Sequence, residues 1–270
     1  MNDRVTVTIE DGVADVRLSR ADKMNALDEA MFEALIEAGD QLKADKAVRA
    51  VVISGEGRAF CAGLDMASFG KMAEAGGRGT REAAGFAGRA HGVANGFQYA
   101  AWVWRELPVP VIAAVHGAAF GGGFQLALGA DIRLVSTDTR MAVMEIRWGI
   151  VPDMGGTQLM QRLARDDVIR ELTYTGRIFS AEEAVQMGFA TRVSHKPRAE
   201  ALSLAREIAG KSPDAIRAAK RLLNAAVDAG PAEGLAQETA EQRALIGSPN
   251  QIEAVLANLQ KRSPVFSDPT

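Results

Sequence analysis

An α/β fold built on a largely parallel sheet is the class this sequence predicts, on three observations. Short, continuous apolar runs at Ala50–Ser54, Val111–Val115 and, less cleanly, Ile132–Val135 read as strands buried on both faces. Each lies between segments of helical period, as crossover helices lie between parallel strands. After about Val193 the strand-like runs stop and only helical spacing continues.

The elements follow in order. Val5–Ile9 alternates in polarity, Val13–Leu18 follows, and Asp11-Gly12 between them marks a hairpin. Asp28 can cap a helix running to about Ala44, with Phe32, Leu35, Ile36 and Leu42 on one face. Residues 70–90, rich in Gly and Ala with scattered charge, read as a loop leading into a helix. From Leu107 to Ala130 there is no charged residue, long enough for a membrane span. Pro108, Pro110 and five glycines in that run argue instead for a buried strand, a Gly-rich turn and a buried helix. Phe97, Trp102 and Trp104 precede it and read as helix core in preference to the lining of an acyl tunnel. Later, Ile216, Ala219, Leu223, Ala226 and Val227 keep helical spacing, as do Ile252, Val255, Leu256 and Leu259, with Gly230-Pro231 and Ser248-Pro249 as breaks. Their apolar faces must bury against the sheet domain or another subunit.

Composition narrows the function classes. With 270 residues, 47% hydrophobic and 24% charged, the chain can bury a large core without staples, which excludes disorder as its main state. The lone cysteine, Cys61, excludes a disulfide scaffold and fits a reducing cytosol. A net charge of −3 lacks the basic field of a nucleic-acid binder. The N-terminus shows no basic region followed by an apolar one, so no signal peptide is expected, and the expectation is a cytoplasmic protein with neither a nucleic acid nor a membrane as partner. Common motifs fail. Gly55-Glu56-Gly57 follows a strand, but Phe60 stands where a dinucleotide fingerprint needs its third glycine. Gly210-Lys211-Ser212 resembles the end of a P-loop, but Ala205 replaces the first glycine. His91, His116 and His195 are far apart, so no metal site is expected, and His116 reads as a satisfied core group.

Two stretches share one design. In Val51–Asp65 and in Pro110–Gln125 a buried strand runs into a loop of tiny residues, Ala62-Gly63 in one and Gly121-Gly122-Gly123 in the other, where a helix begins. Small residues leave backbone N–H groups accessible. Two such loops side by side can aim two N–H groups at one oxygen, an oxyanion hole for an enolate or a tetrahedral adduct. Cys61 beside Ala62 has no histidine near it in sequence and reads as packing. In a third stretch, Ala142–Gln158, Glu145 and Asp153 sit among apolar and small residues, where desolvation raises a carboxyl pKa and suits a general base. Pro152–Gly156 reads as a turn that folds Asp153 toward Glu145. The structural alternatives are an Asp153 cap on a helix starting near Thr157 and a Glu145 paired with Arg147 or another surface base.

In this order, Phe60-Cys61-Ala62-Gly63-Leu64-Asp65, Gly121-Gly122-Gly123 and Pro152-x-x-Gly155-Gly156-Thr157-Gln158 resemble the crotonase (enoyl-CoA hydratase/isomerase) superfamily. Lys23-Met24-Asn25-Ala26-Leu27 near the start and Lys261-Arg262 with Phe266 near the end extend the likeness over nearly the whole chain. The resemblance implies a spiral of ββα units over residues 1–195, carrying an acyl-CoA site, and a helical trimerisation region over 196–270. It implies an acyl-CoA substrate, no cofactor beyond the coenzyme A of that substrate, and a homotrimer or dimer of trimers. It assigns the thioester oxygen to the N–H groups of Ala62 and Gly122. Lys23, Asn25, Ala26 and Leu27 would line the adenine pocket, with Asp65 and Met66 among the substrate contacts, and Lys261 or Arg262 would reach a CoA phosphate.

One departure decides the chemistry expected. Hydratases of the family use two glutamates; the second matches Glu145, and the first falls at Gln125. An amide can position water but cannot accept its proton, and losing one acid–base group costs about 10²–10⁴-fold. Moving a double bond is less demanding, and Asp153 matches an acid of the family's dienoyl-CoA isomerases. Proton transfer through Glu145 and Asp153, with Gln125 orienting water or substrate, is therefore favoured over hydration. A thioesterase of the same superfamily and a non-catalytic acyl-CoA binder are the rival readings.

Overall fold

The computed structural model describes residues 3–67 and 91–269. The loop and helix expected over 70–90 lie outside the described residues. Strands β1 (Val5–Glu10) and β2 (Val13–Leu18) form the expected antiparallel hairpin, in register from Val5↔Leu18 to Glu10↔Val13. Asp11 and Gly12 both take positive φ at its turn. Helix α1 (Glu29–Ala44) starts where Asp28 accepts a hydrogen bond from the Met31 N–H at 2.9 Å. Its Met31, Phe32, Leu35 and Leu42 are buried. Strand β3 (Ala50–Gly55) pairs parallel to β2. Helix α2 (Gly96–Glu106) opens with a reciprocal Asn95–Gln98 capping box.

The uncharged stretch resolves as expected into strand, turn and helix: β4 (Val111–Val115), β5 (Ala118–Phe120) and α3 (Gly122–Leu128). Then come β6 (Ile132–Val135), β7 (Arg140–Ala142), a 3₁₀ turn (Glu145–Trp148), α4 (Gly156–Met160), α5 (Asp166–Thr175), β8 (Phe179–Ser180), α6 (Ala181–Met187) and β9 (Arg192–Val193). The chain ends in α7 (Pro197–Ala209), α8 (Pro213–Ala225), α9 (Pro231–Leu245) and α10 (Pro249–Gln260), each begun by a proline.

One sheet has six strands in the order β1-β2-β3-β4-β6-β9, all parallel after the first pair, and a second has three in the order β5-β7-β8. Alternation along the strands explains the unbroken apolar runs. Val51, Ile53, Val111, Ala113 and Val115 face the main core with α1 and α2, while Ala50, Val52, Ile112 and Ala114 face α7 through its Ala201, Ala205 and Ala209. Each central strand is thus covered on both sides. Trp104 lies fully buried in the main core, as expected of it; truncating it to alanine should cost about 3–5 kcal/mol. Trp102 is only half-buried and lies against Gly155. Among the described residues no helix is long and apolar enough to cross a membrane.

The C-terminal helices divide. Helix α7 covers the sheet, whereas α9 buries no residue, and Leu223 of α8, Leu235 of α9 and Leu259 of α10 stay exposed. His116 is half-buried rather than a core residue, because the chain leaves the sheet just beyond β4; its Nε2 lies 3.0 Å from the Gly57 carbonyl.

Candidate active site

The two glycine-lined bends stand side by side. Cys61 donates to the Ala118 carbonyl (3.0 Å), and Phe120 donates to the Cys61 carbonyl (3.1 Å). This short parallel bridge joins the loop after β3 to strand β5. Side chains would obstruct it. Gly63, at φ +88°, would place a Cβ 2.6 Å from the Phe120 carbonyl oxygen, and a Cβ on Gly123 would run into the Cys61 carbonyl. The buried Cys61 thiol is pushed up to about 12 by desolvation, which suits packing and not nucleophilic chemistry.

The segment Met24–Leu27 pairs with the first bend. Ala62 donates to the Met24 carbonyl (2.9 Å), Leu27 to the Gly63 carbonyl (2.8 Å) and Asp65 to the Leu27 carbonyl (3.0 Å). This corrects one expectation: the Ala62 N–H is engaged by protein and does not face a substrate oxygen. Leu64 is the residue of this bend whose N–H has no partner among the described residues, since Leu27 bonds to its neighbours on either side. In the second bend the N–H of Gly121 bonds to Ala142, while Gly122, in the first turn of α3, has no intrahelical partner for its own. Gly63 and Gly122 are adjacent, with 3.6 Å between the Gly122 nitrogen and the Cβ position of Gly63. Leu64 and Gly122 are therefore a pair of available donors: Gly122 is the one the resemblance implied, and Leu64, two residues on, replaces Ala62. Finding Leu64 required knowing that residues 24–27 zip onto 62–65.

Other expected substrate contacts prove structural. Asn25 is fully buried; its Oδ1 accepts from Arg20 N (2.9 Å), and its Nδ2 donates to the carbonyls of Glu56 (2.9 Å) and Ala59 (2.8 Å). It ties the two loops together and has no donor left for adenine, against the expectation. Asp65 likewise pairs with Arg20 (2.5 Å) and caps the Ala67 N–H (2.8 Å), contacts that hold its carboxyl below the ordinary range despite desolvation. Arg20, which sequence reasoning missed, also donates to the Ala26 carbonyl (3.0 Å) and lies 3.5 Å from Asp28. Ala26 and Leu27 are buried, and Lys23 and Met66 are exposed. At the far end of the chain, Arg262 is held by both oxygens of Glu253 (2.5 and 2.7 Å), which pulls that carboxyl down to about 2. Lys261 ends α10 in a left-handed conformation. Among the described residues no hydrogen bond or ion pair ties Lys261 or Arg262 to the bends.

Gln125, Glu145 and the turn after Pro152 converge. Gln125 is 1% exposed, and its Nε2 donates to Glu145 Oε1 at 2.5 Å. Its Oε1 accepts from the N–H groups of Met154 and Gly156, both at 2.9 Å. Its oxygen is thus taken up by two protein donors and one N–H is committed to Glu145, which leaves its second N–H as the donor that could orient water or substrate. Glu145 packs against Gly121, 3.4 Å from its Cβ position, and its Oε2 is buried without a hydrogen-bond partner among the described residues. Desolvation is the main force raising its pKa; the backbone N–H beside it and the hydrogen bond from Gln125 oppose that rise, and the charge of Asp153 adds to it. Asp153 is half-buried and also raised by desolvation. Neither structural alternative is realised: Glu145 pairs with Gln125, and the cap position of α4 is Gly155, without a side-chain cap. Met154 and Leu27 close over Gly122, whose Cβ position lies 2.7 and 2.8 Å from their side chains. Among the described residues no group of three or more His, Cys, Asp or Glu side chains could hold a metal ion.

Paired free N–H groups beside two carboxyls of raised proton affinity, on this spiral of parallel strands, are an arrangement that can stabilise an enolate. The profile of the enoyl-CoA hydratase/isomerase family matches residues 8–269, and the chain belongs to that family, within the crotonase superfamily. It is 33% identical over 262 residues to the mitochondrial methylglutaconyl-CoA hydratase of Mus musculus, covering 94% of this chain and 79% of that one. It is 30% identical over 256 residues to the mitochondrial Delta(3,5)-Delta(2,4)-dienoyl-CoA isomerase of the same species, covering 93% and 77%. The crystal structure of enoyl-CoA hydratase from Bacillus anthracis superposes with a TM-score of 0.88 at 29% identity, over 98% of this chain and all of that one.

Proposed function

We propose that this enzyme binds an acyl-CoA thioester and moves a double bond along the acyl chain by proton transfer through Glu145 and Asp153. The observation that carries this reading is the division of labour at the site. Gln125 commits its oxygen to two backbone N–H groups and an N–H to Glu145, whereas Glu145 keeps an unpartnered oxygen and both acids have raised proton affinity. One carboxylate takes a proton from Cα, the saturated carbon between the thioester carbonyl and the double bond. The electron pair moves into the carbonyl, and the resulting dienolate oxygen accepts hydrogen bonds from Leu64 and Gly122. A carboxylic acid then returns a proton at another carbon of the conjugated system, so no net proton is gained or lost. Each oxyanion donor should contribute roughly 3 kcal/mol to lowering the barrier.

Hydration is the second reading, favoured by the hydratase relative and by the interaction between the charges of Asp153 and Glu145. There Asp153 would take the acid–base role that Gln125 cannot. Deuterium exchange at Cα over a panel of CoA esters, with products resolved by mass, tests both. Exchange with a positional isomer and no added water supports isomerisation; a 3-hydroxyacyl product supports hydration. Free CoA from saturated esters would mean a thioesterase, and binding without exchange a non-catalytic acyl-CoA binder.

The exposed leucines of α8, α9 and α10 fit burial in a homotrimer or dimer of trimers, which light scattering would test. Lys23, exposed beside the first bend, and Lys261 are the cations this reading offers to the phosphates of CoA. The reading keeps the enzyme in the cytoplasm, whereas the named curated relatives are mitochondrial.

A further inference from the structure

We infer that Gln125 is a positioning residue that fixes which oxygen of Glu145 carries the proton: by donating to Oε1, it leaves Oε2 as the only atom of that carboxyl able to exchange protons with a substrate. The inference rests on the proposed role of Glu145 as proton carrier and goes further by assigning the atom and the device that selects it.

The geometry fixes the amide in one orientation. Its oxygen accepts from two backbone N–H groups, Met154 and Gly156. Flipping the amide would set its NH₂ against both donors and its carbonyl against a carboxylate oxygen. The Nε2 must therefore face Glu145, and an amide N–H can only donate. Glu145 Oε1 is then an acceptor in both protonation states, and a proton bound by this carboxyl resides on Oε2. That oxygen is the buried one without a partner among the described residues. A glutamate at position 125 could accept from Met154 and Gly156 equally well. It could face Glu145 at this distance only by sharing a proton with it, which makes the two groups titrate as a pair.

Few other charges face this carboxyl. Asp153 is the one whose charge reaches it, and α3 and α4 carry no ionisable side chain. Arg147, on the same 3₁₀ turn, is exposed. Helix α5 packs on that turn, and its charges are paired at the surface, Asp166 with Arg170, Asp167 with Arg165 and Glu171 with Arg177.

The test uses the full-length protein and its variants Gln125→Glu and Gln125→Met. One readout is the pH dependence of Cα exchange. The other needs no substrate: titration of Glu145 by ¹³C NMR in protein labelled at glutamate Cδ, with the signal assigned through Glu145→Gln. In Gln125→Glu the bonds from both backbone N–H donors survive, but the Glu145 signal should titrate in two coupled steps, and the acid limb of exchange should move up by more than about one pH unit. Gln125→Met removes the donor without adding charge, so the Glu145 midpoint should also rise. An unchanged midpoint in either folded variant would mean that Gln125 merely braces the turn, and the inference would fall. If no CoA ester exchanges on the wild-type protein while the titrations behave as expected, the proposed function falls and the proton placement stands.

Discussion

Two carboxylates of this molecule sit within reach of the same glycine-lined bends and meet opposite conditions. Asp65 lies in the first bend against the Arg20 guanidinium, with a backbone N–H on its other oxygen; its charge is compensated and its pKa lowered. Glu145 lies beside the second bend against the neutral amide of Gln125; burial outweighs the stabilisation its charge receives from Gln125 and the nearby backbone, and its pKa is raised. Both side chains have little exposure, at 9% and 6%, but desolvation dominates at Glu145, whereas at Asp65 the Ala67 N–H and the Arg20 guanidinium outweigh it. A cation makes a carboxylate a strut, and an amide leaves it able to change protonation state.

Removing the reactive partner should separate the two corners most sharply. Glu145→Gln is expected to lower Cα exchange by about 10²–10⁴-fold, measured by mass on whichever CoA ester the wild type enolises. It should also raise stability at neutral pH. A carboxyl whose folded pKa is raised loses stability as pH rises through that pKa, and the substitution removes the loss. A denaturation midpoint lower than wild type at neutral pH would contradict this.

Next in size is the oxyanion pair. Gly122→Val would drive a side chain into Met154 and Leu27, displacing the Gly122 N–H; exchange should fall about 10²–10³-fold, with a near-wild-type circular dichroism spectrum. The corresponding change on the strut side is Arg20→Met. Leaving Asp65 without its cation should cost about 2 kcal/mol of stability by chemical denaturation, while the acid limb of exchange stays in place. Because the folded pKa of Asp65 is lowered, the wild-type advantage should be full above its unfolded pKa and disappear as pH falls through the folded one.

The smallest displacement in pH sharpens the comparison from within the site, beside the loss of double-bond transfer expected when Asp153 carries no proton. The charge of Asp153 raises the pKa of Glu145, so Asp153→Asn should move the acid limb to lower pH, by less than about one pH unit for one charge acting through a partly solvated gap. A limb that moved upward would mean that Asp153 is not the charge Glu145 senses.

Much of this was legible without coordinates, for local reasons. Continuous apolar runs gave β3, β4 and β6 because both faces of a central parallel strand are covered, and Asp28 announced α1 because a cap acts on its own helix. The tiny residues of both bends, and the two acids eight positions apart, marked the site. What stayed hidden depends on which segments meet. That the Ala62 N–H belongs to Met24, leaving Leu64 free, is fixed by the pairing of residues 24–27 with 62–65. That Asn25 and Asp65 hold loops instead of ligand, and that Gln125 reads two amides 29 and 31 residues ahead, are fixed in the same way.

By itself, then, the sequence determined the fold class, the family and the residue types gathered at the site, since periodicity and small side chains act over a few neighbouring positions. Only the tertiary structure decided which N–H groups remain free and which oxygen stays bare. A hydrogen bond satisfies one partner at the expense of every other, and the partners here lie 20 or more residues apart along the chain.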